Sequence, residues 1–207
     1  GWLHPAALCQ ASLNLISDSQ VDCRLNTSVT SLSFDGVCWH VADDRQIIAS
    51  APVIILCNGH QASAFEPTEF IPIVPVRGQS TRVQATADSL ALRLPVTGVR
   101  SICPAVEEQH TIGATYDPGI ASTEADKADD RENTQLVQSL FSRAAQLGLR
   151  PVTARAAVRA ASRDYFPVVG AVPDTSAFIV SHAELSRNAH ARINETDGYW
   201  RNGLFIN

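Results

Sequence analysis

Arg155, Arg159 and Arg163 stand four residues apart, directly ahead of Asp164. A guanidinium donates through a planar fork, so such a row can clamp a carboxylate or a phosphate. The spacing leaves two conformations open, a helical stripe or one face of a strand. The plainer alternative is a solvated face on which Asp164 pairs with a neighbour. A second cluster, Asn58-Gly59-His60, closes the apolar run Val53–Cys57. Ligands of doubly wound folds sit beyond the carboxyl ends of such strands, and glycine lets a backbone approach them closely. A tight turn without a ligand competes with that reading. Other chemistries find no support. There is no G-x-S-x-G nucleophile elbow, and no carboxylate pair of the glycosidase kind can be recognised. The cysteines at 9, 23, 38, 57 and 103 have no C-x-x-C spacing, and the histidines form no helical ligand pair, so no metal is expected. His4, His110, His182 and His190 read as surface or turn residues.

The elements that must carry these groups follow from pattern. Residues 4–17 read as a helix with Pro5 in its first turn. Asp22–Asn26, Val29–Phe34, Val37–Val41 and Gln46–Ala49 read as strands, the middle two joined at Asp35-Gly36, a strong hairpin signal. Val53–Cys57 reads as a strand buried on both faces, as in a parallel sheet. Pro67, Pro72 and Pro75 predict a stiff, non-helical crossover. Strands are expected at Arg77–Gln84, Ile102–Ala105 and Thr111–Tyr116, with a turn at Asp117–Gly119. Residues 122–147 predict a long helix with acids at its start and Gly148 after its end. Val152–Arg163 stays open between helix and strand, because alanine dominates it. Ala177–Val180 and Leu204–Ile206 read as short late strands, and 183–198 as a polar loop.

The chain's 207 residues suit one large domain or two small ones. A net charge of −5 argues against bulk electrostatic binding of nucleic acid but leaves room for a local basic patch. No apolar run reaches membrane-spanning length and no signal peptide is visible. Scattered, odd-numbered cysteines suggest reduced thiols and a cytoplasmic setting. The chain begins at Gly1 and contains no methionine, so it reads as a piece of a longer protein. It has no G-x-G, and so lacks the Gly-rich turn with which a dinucleotide fold grips a pyrophosphate.

Taken in order, several segments resemble the D-amino-acid-oxidase-like FAD-dependent oxidoreductases. They are Gly1-Trp-Leu-His-Pro5 before a helix, Thr27–Leu32, Ile54–Gly59, Gly78-Gln79, and Arg159 through Asp164 to Pro167 and Gly170. Longer words, N-G-H-Q-x-S-x-F and V-R-A-A-S-R-D-Y-F-P-V-V-G among them, are similar to the oxidoreductase half of a bifunctional bacterial tRNA-modifying enzyme fused to a methyltransferase. That resemblance implies an α/β plus α+β architecture. A partial FAD-binding, Rossmann-like domain (residues 1–65 and 165–207) would interleave with a mostly antiparallel substrate domain (66–164) carrying a long helix. It implies FAD as cofactor, with Val29, Asn58 and Gly59 on the flavin side, and with the Gly-rich loop and the methyltransferase lying outside this chain. It implies Arg159, with Tyr116, at the substrate carboxylate, and tRNA as partner. Arg155 and Arg163 become candidates for tRNA phosphates or for structural pairs with acids such as Asp164. The implied reaction removes the carboxymethyl group from 5-carboxymethylaminomethyl-(2-thio)uridine at the wobble position. Two rivals stand beside it: a small amine oxidase acting on glycine or sarcosine, and a non-catalytic tRNA-binding or structural piece.

Overall fold

The computed structural model describes residues 3–16, 21–141, 148–193, 196 and 198–207. The chain divides into two compact units. The first comprises Gly1–Leu25 with Pro75–Arg159, and the second Asn26–Val74 with Ala160–Asn207. The sequence reading placed its divisions after residues 65 and 164.

In the first unit, α1 (Pro5–Asn14) starts where His4 Nδ1 accepts a hydrogen bond from the Ala7 N–H. The unit is built on a six-stranded sheet. Its long strand β5 (Val74–Gln84) lies between β10 (Pro151–Ala161) and β8 (Gln109–Gly113). Beyond β8 come β7 (Ser101–Ile102) and β6 (Val96–Thr97), and β9 (Asp117–Pro118) also pairs with β5. The helix α2 (Lys127–Gln138) is capped by Asp126, whose carboxylate accepts from the Ala128 N–H, with Asp129 and Asp130 in its first turn. Acids there are favoured by the helix dipole. The rest of the expected helix, 142–147, lies outside the described residues. Val137 of α2 joins Val83, Ile102, Ile112 and Leu149 in the unit's core.

The open question over Val152–Arg163 resolves as strand β10. Pairing with β5 outweighs the helical preference of its alanines, a tertiary override of intrinsic propensity. The turn expected at Asp117–Gly119 contains the short strand β9. His110 is fully buried rather than a surface residue, with its ring nitrogens hydrogen-bonded to Cys103 O at 2.8 Å and Ser89 Oγ at 2.9 Å.

The second unit holds two three-stranded sheets. The antiparallel meander β1 (Ser31–Phe34), β2 (Trp39–Ala42) and β3 (Ile47–Ala51) turns at Asp35-Gly36, as its sequence predicts. The other sheet runs in the order β11 (Gly170–Pro173), β12 (Trp200–Ile206), β4 (Ile54–Leu56). Within it β12 and β4 are parallel, while β11 and β12 are antiparallel. Trp39, Leu56, Val172, Leu204 and Ile206 share one core, and the Trp39 indole N–H donates to Asn202 O at 2.7 Å. Gly203 carries a φ of +68°, and a Cβ there would run into the Pro52 carbonyl oxygen, so only glycine fits.

Several expectations fail in this unit. β4 is not buried on both faces: Leu56 is buried, while alternation turns Ile55 outward, 61% exposed. No strand forms at Asp22–Asn26 either, a segment that falls in the first unit up to Leu25. The Pro-rich crossover includes a short 3₁₀ turn, Glu66–Thr68, since Pro67 falls in its first turn where a missing N–H costs nothing. Ala177–Val180 belongs to helix α3 (Thr175–Ser181) rather than a strand, because the Asp174 carboxylate accepts from the Ala177 N–H at 2.9 Å and caps a helical start. Within 183–198, Ala183–Ser186 forms a further 3₁₀ turn.

Candidate functional site

The three residues Arg77-Gly78-Gln79 show how strand alternation builds the first unit's site. Arg77 and Gln79 face α2. The Arg77 guanidinium donates to Asp129 at 2.6 Å, to Asp117 at 3.2 Å and to Gln79 Oε1 at 3.0 Å. Its pKa is raised, chiefly by the hydrogen bond to Asp129. The Gln79 amide donates to Asp126 O and Asp130, and its oxygen accepts from the Asp126 N–H. Asn133 closes the network by donating to Gln79 O at 3.0 Å. Gly78 therefore belongs to the opposite face, and that face meets Arg159. A Cβ on Gly78 would run into Arg159 Nη1 and lie 2.7 Å from its Cζ. The guanidinium thus rests on bare backbone, a seat that any side chain at 78 would fill.

Arg159 is exposed, and among the described residues no carboxylate pairs with it. A cation held by packing and left without an anion can take one from solution. Tyr116 is half exposed. The β5–β9 register pairs Arg77 with Asp117. One step further along the same ladder brings Tyr116 opposite Gly78. Asp117 bonds Arg77 on the α2 side, so alternation turns Tyr116 toward the Arg159 side.

Arg155 lies on the same face of β10 as Arg159, and both it and Arg163 are exposed. Among the described residues neither pairs with Asp164. Asp164 instead accepts from the Phe166 N–H at 3.1 Å and the Ser162 hydroxyl at 3.0 Å. These two bonds, the backbone one foremost, hold its pKa below the usual carboxylate value.

In the second unit, a hollow of about 200 Å³ opens at the carboxyl ends of parallel strands β4 and β12. Gly59, Ala160, Phe166, Val168 and Asn207 are among its lining residues. Gly59 has a φ of +60°, and a Cβ there would sit 3.9 Å from Ala160 Cβ. Asn207 N–H donates to Leu56 O at 2.9 Å, carrying the parallel ladder to the rim. Of the flavin-side residues expected from sequence, Gly59 lines this hollow, and Asn58 and Val29 do not. Asn58 starts the 3₁₀ turn Gly59–Ala64, and Val29 precedes β1. Sequence reading missed the lining from Phe166 to Val169. Its signal was the bent, apolar F-P-V-V-G segment, which reads equally well as a connection.

Residues 1–198 match the FAD dependent oxidoreductase family, DAO. The chain belongs to that family. Among its relatives is the tRNA 5-methylaminomethyl-2-thiouridine biosynthesis bifunctional protein MnmC of Pseudomonas putida (strain GB-1), 34% identical over the whole of this chain and 32% of that protein. The protein of the same name from Pseudomonas syringae pv. syringae is 32% identical over 100% of the chain and 31% of its own length. The chain thus spans about a third of the length of these curated relatives. Similar solved structures include glycine oxidase from Geobacillus kaustophilus, with a TM-score of 0.64 and 18% identity over 86% of this chain and 41% of that one. Iminodiacetate oxidase from Chelativorans sp. BNC1 follows with 0.58 and 17% over 85% and 42%. These two show the fold.

FAD is the cofactor of this oxidoreductase family. The second unit's hollow fits part of it. Its position beyond parallel strand ends suits a nucleotide cofactor, and the left-handed Gly59 leaves a wall without a side chain. Whole ligand sites span roughly 300–1,000 Å³, so about 200 Å³ admits a ring-sized portion. Among the described residues no group of histidines, cysteines and acids could hold a metal ion. No helix among them is long and apolar enough to cross a membrane.

Proposed function

We propose that this chain is part of an FAD-dependent oxidoreductase that acts on tRNA. It would remove the carboxymethyl group from 5-carboxymethylaminomethyl-(2-thio)uridine at the wobble position and leave the aminomethyl form. The observation that carries the reading is Arg159, a guanidinium seated on Gly78 with no carboxylate partner among the described residues, together with a likeness to the bifunctional tRNA-modifying proteins that covers the whole of this chain and 32% of the relative. The first unit would supply the substrate domain and the second part of the flavin domain. The methyltransferase of those relatives would lie outside this chain, and the setting would be the cytoplasm.

The substrate is an N-alkyl glycine, a secondary amine bonded to a CH₂ that carries a carboxylate. FAD, when bound, supplies the oxidising power for loss of hydride from that CH₂. Arg159 would grip the carboxylate through its planar fork and so fix the CH₂ in position. Tyr116 would wall the same space, and Gly59, Asn58 and Val29 would face the cofactor through their backbones. The amine must be neutral for its lone pair to assist, and Arg159 nearby favours the uncharged form by repulsion. Water then splits the resulting imine into glyoxylate and the primary amine, and oxygen takes up the electrons.

Arg159 would serve any N-alkyl glycine, so an oxidase of free glycine or sarcosine is the second reading. The FAD-loaded protein should release glyoxylate from carboxymethylaminomethyl tRNA and act poorly on free sarcosine. Efficient sarcosine turnover with no glyoxylate from tRNA would replace the first reading by the second.

A further inference from the structure

The two faces of β5 differ in what they meet. Asp129 and Asp130 sit on α2 and meet Arg77, Gln79 and Thr81 of β5. The alternate residues of β5, Gly78, Ser80 and Arg82, face the other way. Antiparallel pairing puts directly opposed residues on one face. Thr111 is paired with Arg82, Ser101 is opposed to Gly113, and Gly113 to Ser80, so the polar surface extends across the sheet. On the other flank, β10 contributes Arg155 and Arg159 to this face, roughly 13 Å apart at about 3.3 Å per residue. The Ser80 hydroxyl reaches Arg155 O, which places Arg82 and Arg155 on adjacent strands. Arg82 and Arg155 are both exposed, and neither pairs with an acid among the described residues. The residues named on this face, Gly78, Ser80, Arg82, Ser101, Thr111, Gly113, Arg155 and Arg159, include no carboxylate and no large aliphatic side chain.

We propose that this face is the surface on which the phosphates of tRNA lie, with Arg82 and Arg155 as backbone contacts beside the Arg159 clamp. The inference rests on the tRNA reading above. A protein partner would ask for an apolar centre, which this face lacks. Hydroxyls and guanidinium groups without competing acids are what phosphate and ribose oxygens accept from. A chain of net charge −5 can still hold a polyanion on such a face, because the acids nearest to it, Asp129 and Asp130 of α2, bond to the opposite side of β5.

The test measures the affinity of the FAD-loaded full-length protein for carboxymethylaminomethyl tRNA between about 50 and about 200 mM salt. R82Q/R155Q should weaken binding tenfold or more at about 100 mM salt and flatten the log–log salt slope by about 1.5, the release expected for two phosphate contacts. R82K/R155K should recover most of both. R45Q/R131Q removes the same charge from the hairpin loop and α2, and should leave affinity and slope at wild-type values. A wild-type slope in R82Q/R155Q would overturn the assignment, as would equal weakening in the two glutamine pairs. Wild-type protein that does not bind tRNA at all would overturn this proposal and the proposed function together.

Discussion

Arg159 lays its guanidinium over Gly78, in the space where any other residue would carry its Cβ. The backbone at Gly78 is not in the left-handed region, so alanine is conformationally acceptable there and only the flexible guanidinium must move. Gly78→Ala should therefore leave the melting temperature within a few degrees of wild type. It should lower kcat/KM about ten- to a hundredfold, the scale on which misplacement by an ångström acts. Steady-state kinetics and a thermal melt check both parts. Lost stability with unchanged kcat/KM would make Gly78 a packing glycine alone.

Arg77 is 7% exposed and joined to Asp129, Asp117, Gln79 and the Glu124 carbonyl. Removing one partner of such a network strands the others. Arg77→Met should destabilise the protein by about 3–5 kcal/mol, the usual cost of breaking a buried pair. Denaturant unfolding measures it. A loss below about 1 kcal/mol would show that Asp129 and Gln79 are re-satisfied by water.

Asp35 ties the β1–β2 turn by accepting from the Cys38 N–H at 2.7 Å, the Val37 N–H at 2.8 Å and His40 at 3.0 Å. The backbone bonds from Cys38 and then Val37, followed by His40, lower its pKa to about 2 from 3.8. A depressed folded pKa means the turn's stabilisation is complete above the unfolded value and fades as pH falls from about 4 through about 2. A carboxyl carbon titration by NMR should show a midpoint near 2, and Asp35→Asn should abolish this part of the acid sensitivity. A midpoint near 4 would contradict the hydrogen bonding.

Local chemistry was legible from residue types. Asp35-Gly36 turns a hairpin, Pro5 opens a helix, and acids mark the start of α2. What failed needs information from far along the chain. β10 is a strand because β5 lies beside it, and its alanines carry no sign of that. α3 was hidden because Ala177–Val180 is a short apolar run with no period, although Asp174 was a readable cap. His110 looked partnerless because Ser89, 21 residues away, supplies its bond. The same limit holds at the site. Arg159 stood out as one of a row, but the seat at Gly78 exists only once residues 81 positions apart share a sheet.

The most direct test of the account is kcat/KM of the FAD-loaded protein on carboxymethylaminomethyl tRNA for wild type and Arg159→Ala, read as glyoxylate release. A hydrogen bond to a charged group is worth roughly 1.5–3 kcal/mol, so the account predicts a fall of about 10–150-fold, with the flavin spectrum unchanged. An Arg159→Ala protein as active as wild type would contradict it.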